Sequence, residues 1–190
     1  FGAAIGVGSS TFLSVKLGQR DYGIANSILG NCVMLNILVG IVFGGVCLLF
    51  LEPILRFFGA SAYTMPYAKD YMEIILLGNA VTHLYLGLNA VLRAAGKPKM
   101  AMYLTIFTVI LNAVLDPLFI YTFRLGIRGA AYATVLSQLV ALGWQWMLFS
   151  KKSELLHFDY DKFKIKKRIV SSIVSIGISP FSMNACACLV

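Results

Sequence analysis

Apolar stretches long enough to cross a bilayer, set apart by short polar connections, constrain this chain more than any other feature. Residues 1–15 read as the remnant of one such stretch. Five more run over 26–51, 70–92, 100–123, 129–149 and from Ile169 onward. A helix needs about 20 predominantly apolar residues to span the hydrocarbon layer, and the long stretches approach or exceed that. In lipid each segment must satisfy its own backbone polar groups, which favours helices. The expected fold class is therefore all-α, a polytopic transmembrane helix bundle in contact with membrane lipids. Only 13% of residues are charged, about half the share usual in soluble domains. Mean hydropathy is +0.82. A net charge of +8 would direct a soluble protein toward nucleic acid. Here the basic residues lie between apolar stretches, so they read as topology signals and no nucleic-acid partner is expected.

The connections carry the usual punctuation. Lys16 to Tyr22 is a short polar turn. Glu52 to Lys69 is longer, with Arg56, Gly59 and Pro66, and its apolar residues suggest a short helix at the interface. Arg93-Ala94-Ala95-Gly96-Lys97-Pro98-Lys99 is a glycine and proline stop with basic residues in the last turn. Arg124 to Arg128 is a tight turn, and Trp144 and Trp146 suit a membrane interface. Residues 151–168 are a polar linker, and Pro180 lies inside the last stretch. The loops after the first, third and fifth stretches hold twelve Lys and Arg, the alternate loops four, so the first set is expected in the cytoplasm. The linker run Lys164-Ile165-Lys166-Lys167-Arg168 suits either anionic lipid or a topology anchor between two halves of a larger protein, and the anchor is favoured. The chain starts at Phe1 and ends at Val190, each within an apolar stretch, so a longer parent is expected. Phe1 to Gly8 lacks the basic start of a signal peptide. Cys32, Cys47, Cys186 and Cys188 lie in apolar stretches without a CxxC spacing and read as small packing residues.

One stretch stands apart. At roughly 100° per residue, Thr105, Thr108, Asn112 and Asp116 share an arc of about 80° on a segment otherwise built of Ile, Val, Leu, Ala and Phe. An Asp at bilayer depth costs about 3 kcal/mol on insertion scales, so its default reading is functional. Burial penalises the charged form, which suits Asp116 to take up a proton, whereas a sodium ion would keep it ionised among oxygen ligands such as Asn112. Pro117 has no N–H and is expected to end the backbone ladder, freeing the Ala113 carbonyl. Against this stands helix capping near the outer surface: Asp116 lies seven residues before Phe123, about 10 Å along a helix. Thr134, Ser137, Gln138 and Gln145 form a second stripe within about 100° of arc. It faces the first stripe or a shared cavity, or it serves as interhelical hydrogen bonding, the reading favoured for Gln145. Asn79 and His83 lie one turn apart, and His83 reads more as a packed neutral imidazole than as a proton relay. Thr108, Gln138, His83 and Asn79 are candidate cavity-lining residues. No nucleophile–base pair, metal quartet or phosphate loop appears, so neither an enzyme nor a cofactor is expected.

Four segments resemble the multidrug and toxic compound extrusion (MATE) transporters. Gly6-Val7-Gly8-Ser9-Ser10 with Leu17-Gly18-Gln19 resembles the family's second helix and following loop. Leu92-Arg93-Ala94-Ala95-Gly96-Lys97-Pro98 resembles the turn between helices four and five. Asn112-Ala113-Val114-Leu115-Asp116-Pro117-Leu118-Phe119-Ile120 resembles the fifth-helix motif, and Gly126-Ile127-Arg128-Gly129-Ala130-Ala131-Tyr132-Ala133-Thr134 the start of the sixth. The resemblance implies most of the N-terminal six-helix lobe of a twelve-helix transporter. Residues 1–150 would be the incomplete lobe, 151–168 the cytoplasmic inter-lobe linker and 169–190 the start of the second lobe. It further implies a cation site containing Asn112, Asp116 and Thr134, completed by an Asp of a first helix outside this sequence. The implied function is efflux of amphipathic, often cationic, compounds against H+ or Na+, by a monomer in a bacterial inner membrane. The alternatives are a lipid-linked oligosaccharide flippase of the same superfamily, or a membrane structural subunit that transports nothing.

Overall fold

The structure, a computed structural model, describes residues 2–150, 156–157 and 166–189. These form α1 (Gly2–Gly18), α2 (Tyr22–Leu49), α3 (Leu51–Phe57), α4 (Met65–Leu77), α5 (Asn79–Ala94), α6 (Pro98–Pro117), a π turn (Leu118–Thr122), α7 (Ile127–Ser150) and α8 (Lys167–Leu189). No strand occurs among the described residues. The linker lysines Lys151, Lys152, Lys162 and Lys164 and the Cys188 side chain lie outside the description.

Local chemistry sets the helix ends. The Asp21 carboxylate accepts from the Ile24 N–H at 3.1 Å and caps α2. At the end of α5, Gly96 takes a left-handed φ of +77°. The Lys97 N–H then reaches the Leu92 carbonyl and the Gly96 N–H that of Arg93, closing the last turn. Pro98 opens α6 at once, where its missing N–H costs nothing.

Among the described residues, α2 and Pro98–Thr122 are long and apolar enough to cross a membrane; α4 and α5 together make a third, broken span. The 70–92 stretch is thus not one straight helix: it breaks at Gly78 and bends by 54°. The break has a packing cause. The space where a Cβ of residue 78 would sit is taken by the Val135 side chain, 2.5 Å away. Asn79, at the new start, donates to the Gly40 carbonyl of α2 at 3.1 Å. Pro117 also departs from expectation. The helix does not end there but widens into the π turn, where the Phe123 N–H reaches back five residues to Leu118.

Packing follows small residues. Gly6 lies against Gly87 of α5, and Gly8 against the Ile173 carbonyl of α8. In return, a Cβ on Gly177 would lie 2.5 Å from the Ala4 carbonyl oxygen. The Gly6-Val7-Gly8 stretch therefore lets α1 cross both α5 and α8 at backbone distance. A core of Leu13, Ile28, Leu29, Leu88, Leu92 and Leu104 fills the centre of α1, α2, α5 and α6. The outer face of α6 exposes Tyr103, Ile106, Val109, Ile110 and Val114, and α2 exposes Leu38, Ile41, Val42 and Val46, as lipid-facing helices do. Cys32 is buried and Cys47 partly so, but Cys186 is exposed and does not pack.

Candidate functional site

α6 packs along α7, α7 packs on α5 and α4, and α5 abuts α6. Thr108, Asn112 and Asp116 of the α6 stripe therefore turn inward, opposite the exposed apolar face, while Thr105 is exposed. At its outer end the Asn112 amide nitrogen donates to Asp116 Oδ1 at 3.3 Å and to Thr134 Oγ1 at 3.4 Å. The first bond follows from the one-turn spacing within α6; the second joins α6 to α7. Thr134 in turn donates to the Ala130 carbonyl at 3.0 Å, so its lone pairs are what Asn112 meets. All three side chains are half-buried. The group offers a carboxylate, an amide and a hydroxyl, oxygen chemistry suited to a proton or a hard monovalent cation. Among the described residues no three His, Cys, Asp or Glu side chains gather as a transition-metal site.

The other residues singled out from sequence fall around this group. Thr108 is buried; its hydroxyl donates to the Leu104 carbonyl at 2.7 Å and lies in hydrogen-bond contact with the Tyr85 hydroxyl at 3.2 Å. Gln138, one turn after Thr134, accepts from Thr82 of α5 at 2.5 Å. Gln145 is fully buried and donates to the Tyr85 carbonyl at 3.3 Å, a stitch between α7 and α5. Asn79 is bonded to α2, and the His83 ring is pressed against Gly2 of α1, both away from Asp116. Thr105 bonds the Asn89 amide, which also takes two N–H groups of Arg93.

Two parts escaped the sequence reading. Tyr85 is the hub that Thr108 and Gln145 share, and a lone Tyr in an apolar stretch gives no signal of it. The ion pair of Asp70 with Arg128, 2.6 Å, joins α4 to α7 across 58 positions of sequence. Next to it Lys69 pairs with Glu52 at 3.0 Å, which holds the Glu52 carboxyl below the usual carboxylate range. A separate cavity of about 540 Å³, lined by Leu17, Leu92, Lys97, Met100, Phe149 and Leu156 among others, lies at the opposite end of α6 from Asp116.

Residues 1–118 match the sequence profile of the MatE family. The multidrug export protein MepA of Staphylococcus haemolyticus is 32% identical over 183 residues, covering 96% of this chain and 40% of the relative. MepA of Staphylococcus aureus strain MRSA252 is 30% identical, covering 96% and 41%. A multidrug resistance MATE family transporter of the MOP superfamily in an inward-facing conformation superposes with TM-score 0.87 and 29% identity, over 93% of this chain and 40% of that one. An outward-facing structure of such a transporter gives TM-score 0.86 and 28% identity, over 97% and 42%. The chain thus spans about two fifths of the length of these relatives. With more than half of its residues matched by the family profile, and its fold shared with solved members, the chain belongs to the MatE family.

Proposed function

We propose that this chain forms most of one lobe of a multidrug exporter and carries a cation-coupling site at Asn112, Asp116 and Thr134. The observation that carries the reading is the two-acceptor bond of Asn112, which makes the contact between α6 and α7 depend on the state of one carboxylate. As placed, the amide presents its N–H groups, the arrangement an ionised Asp116 favours. Protonation turns Asp116 into a donor, and a sodium ion demands oxygen. Either event calls for the amide oxygen instead. Thr134 would then have to release the Ala130 carbonyl to donate to that oxygen. Uptake of H+ or Na+ thereby rearranges the α6–α7 seam. The seam lies beside Pro117 and the π turn, where a helix bends most readily. Two lobes rocking about a central site would turn that rearrangement into alternating access.

On this reading the basic loops face the cytoplasm, residues 169–190 begin the second lobe, and the membrane is a bacterial inner membrane. Efflux is preferred to lipid-linked oligosaccharide flipping because the two polar stripes, Thr105–Asp116 and Thr134–Gln145, contain no Lys or Arg to hold a diphosphate. The test is efflux of a cationic dye by the full-length protein in everted vesicles, with proton and sodium gradients imposed separately. Asp116→Asn should abolish gradient-driven efflux while leaving insertion intact, and the gradient that drives the wild type names the ion. Unchanged efflux in Asp116→Asn would sink the coupling site. Absence of dye movement in the wild type would favour the flippase.

A further inference from the structure

The π turn is held from outside by α7. Gly129, near the start of α7, is buried, and a Cβ there would lie 2.8 Å from both the carbonyl carbon and oxygen of Phe119 and 3.1 Å from the Ile120 nitrogen. The first turn of α7 therefore rests on the backbone of the π turn, which begins two residues after Asp116. The neighbouring residue, Arg128, places Nη2 2.6 Å from Asp70 Oδ1 on α4. Glu73, one turn further along α4, adds a second carboxylate near the same guanidinium. α4 is itself tied to α3 through Lys69 and Glu52. From Arg128 the rigid α7 carries on to Thr134, about 9 Å away along the helix.

We propose that Asp70 and Arg128 are positioning residues for the cation site: their ion pair anchors the start of α7 to α4, beside the Gly129 contact with the π turn, and so sets the spacing between Thr134 and the Asn112–Asp116 pair. This rests on the coupling role proposed above. The pair touches neither the cation nor its ligands. It acts through α7, whose Thr134 meets Asn112 and whose Gly129 rests on the π turn that follows Asp116. An exposed ion pair adds little stability, so its loss leaves the fold in place. What changes is the cost of bringing three ligands to the cation, since a site loosened by about an ångström binds and couples poorly.

The test is the cation dependence of dye efflux in proteoliposomes of the full-length protein, with thermal unfolding in parallel. The set is wild type, Asp70→Asn, Arg128→Gln, the swap Asp70→Arg with Arg128→Asp, and Asp116→Asn. Asp70→Asn is also made with Glu73→Gln, because Glu73 stands ready to take over the guanidinium. Breaking the pair should raise the half-saturating cation concentration about tenfold, within the usual range of coupling between sites. Maximal rate and unfolding temperature should stay near wild type, and the swap should restore the cation response. Wild-type cation dependence in the Asp70→Asn/Glu73→Gln and Arg128→Gln proteins, with Asp116→Asn inactive, overturns the positioning role and leaves the coupling site standing. So does a swapped protein that stays as impaired as the single variants while folding normally. Wild-type behaviour of Asp116→Asn overturns the coupling site itself, and the positioning role with it.

Discussion

At Asn112 one amide nitrogen serves two acceptors on two helices, and the consequences can be read one side chain at a time. Thr134→Val keeps the volume and removes the acceptor on α7. Its cost should be about 1 kcal/mol of stability, since the orphaned amide still has Asp116 and is only half-buried. The half-saturating cation concentration should rise several-fold, read from the same efflux curves, and an unaltered curve would remove Thr134 from the site. The pairing of Asn112 with Asp116 was legible in sequence because α-helical spacing fixes which side chains share a face, and a carboxylate in an apolar stretch has few structural excuses; Thr134 was joined to them only through the resemblance. Asn79 and His83 looked equally polar but point elsewhere, to α2 and α1. Helical spacing gives a direction around one axis and says nothing about which neighbour lies there. Tyr85 shows the converse: an apolar-looking residue whose hydroxyl and carbonyl organise two other helices.

Among the helices, glycine separates close crossings from open surface. Gly8 meets the Ile173 carbonyl of α8 directly, whereas nothing lies within 4 Å of a Cβ placed on Gly143 of α7. Gly8→Ala should therefore destabilise by about 1–3 kcal/mol through overpacking against backbone that cannot yield. Gly143→Ala should stabilise by about 0.5–1 kcal/mol through helix propensity alone. Thermal unfolding in detergent of the two variants should shift in opposite directions, and shifts of the same sign would contradict the crossing. Element existence was plain from the apolar stretches, as was the stop at Gly96-Lys97-Pro98. The break at Gly78 was not, because a lone glycine in an apolar stretch is usually tolerated within a helix. What decides it is Val135, a residue of another helix. The π turn was hidden for a similar reason: proline announces a lost hydrogen bond, but whether the helix stops, kinks or widens depends on what packs beside it, here Gly129.

For the molecule as a whole, likeness is near-equal to an inward-facing and an outward-facing MATE family transporter, so the fold of this chain is common to both structures. Orientation can be tested directly. Single cysteines at Lys97 and Tyr63, in a background lacking the native thiols, should react with an impermeant maleimide from opposite sides of the membrane, Lys97→Cys only in everted vesicles. The reverse pattern would overturn the placement of the basic loops. The bend at Gly78 carries a last consequence. Val135, next to Thr134, is the key that fills the notch left by the missing Cβ. The α4–α5 bend and α7 are therefore in direct contact at this point. A bulkier residue at position 78 would have to displace Val135, so Gly78→Leu should shift both the bend and α7, read as a changed distance between probes on the exposed Leu77 and Leu86.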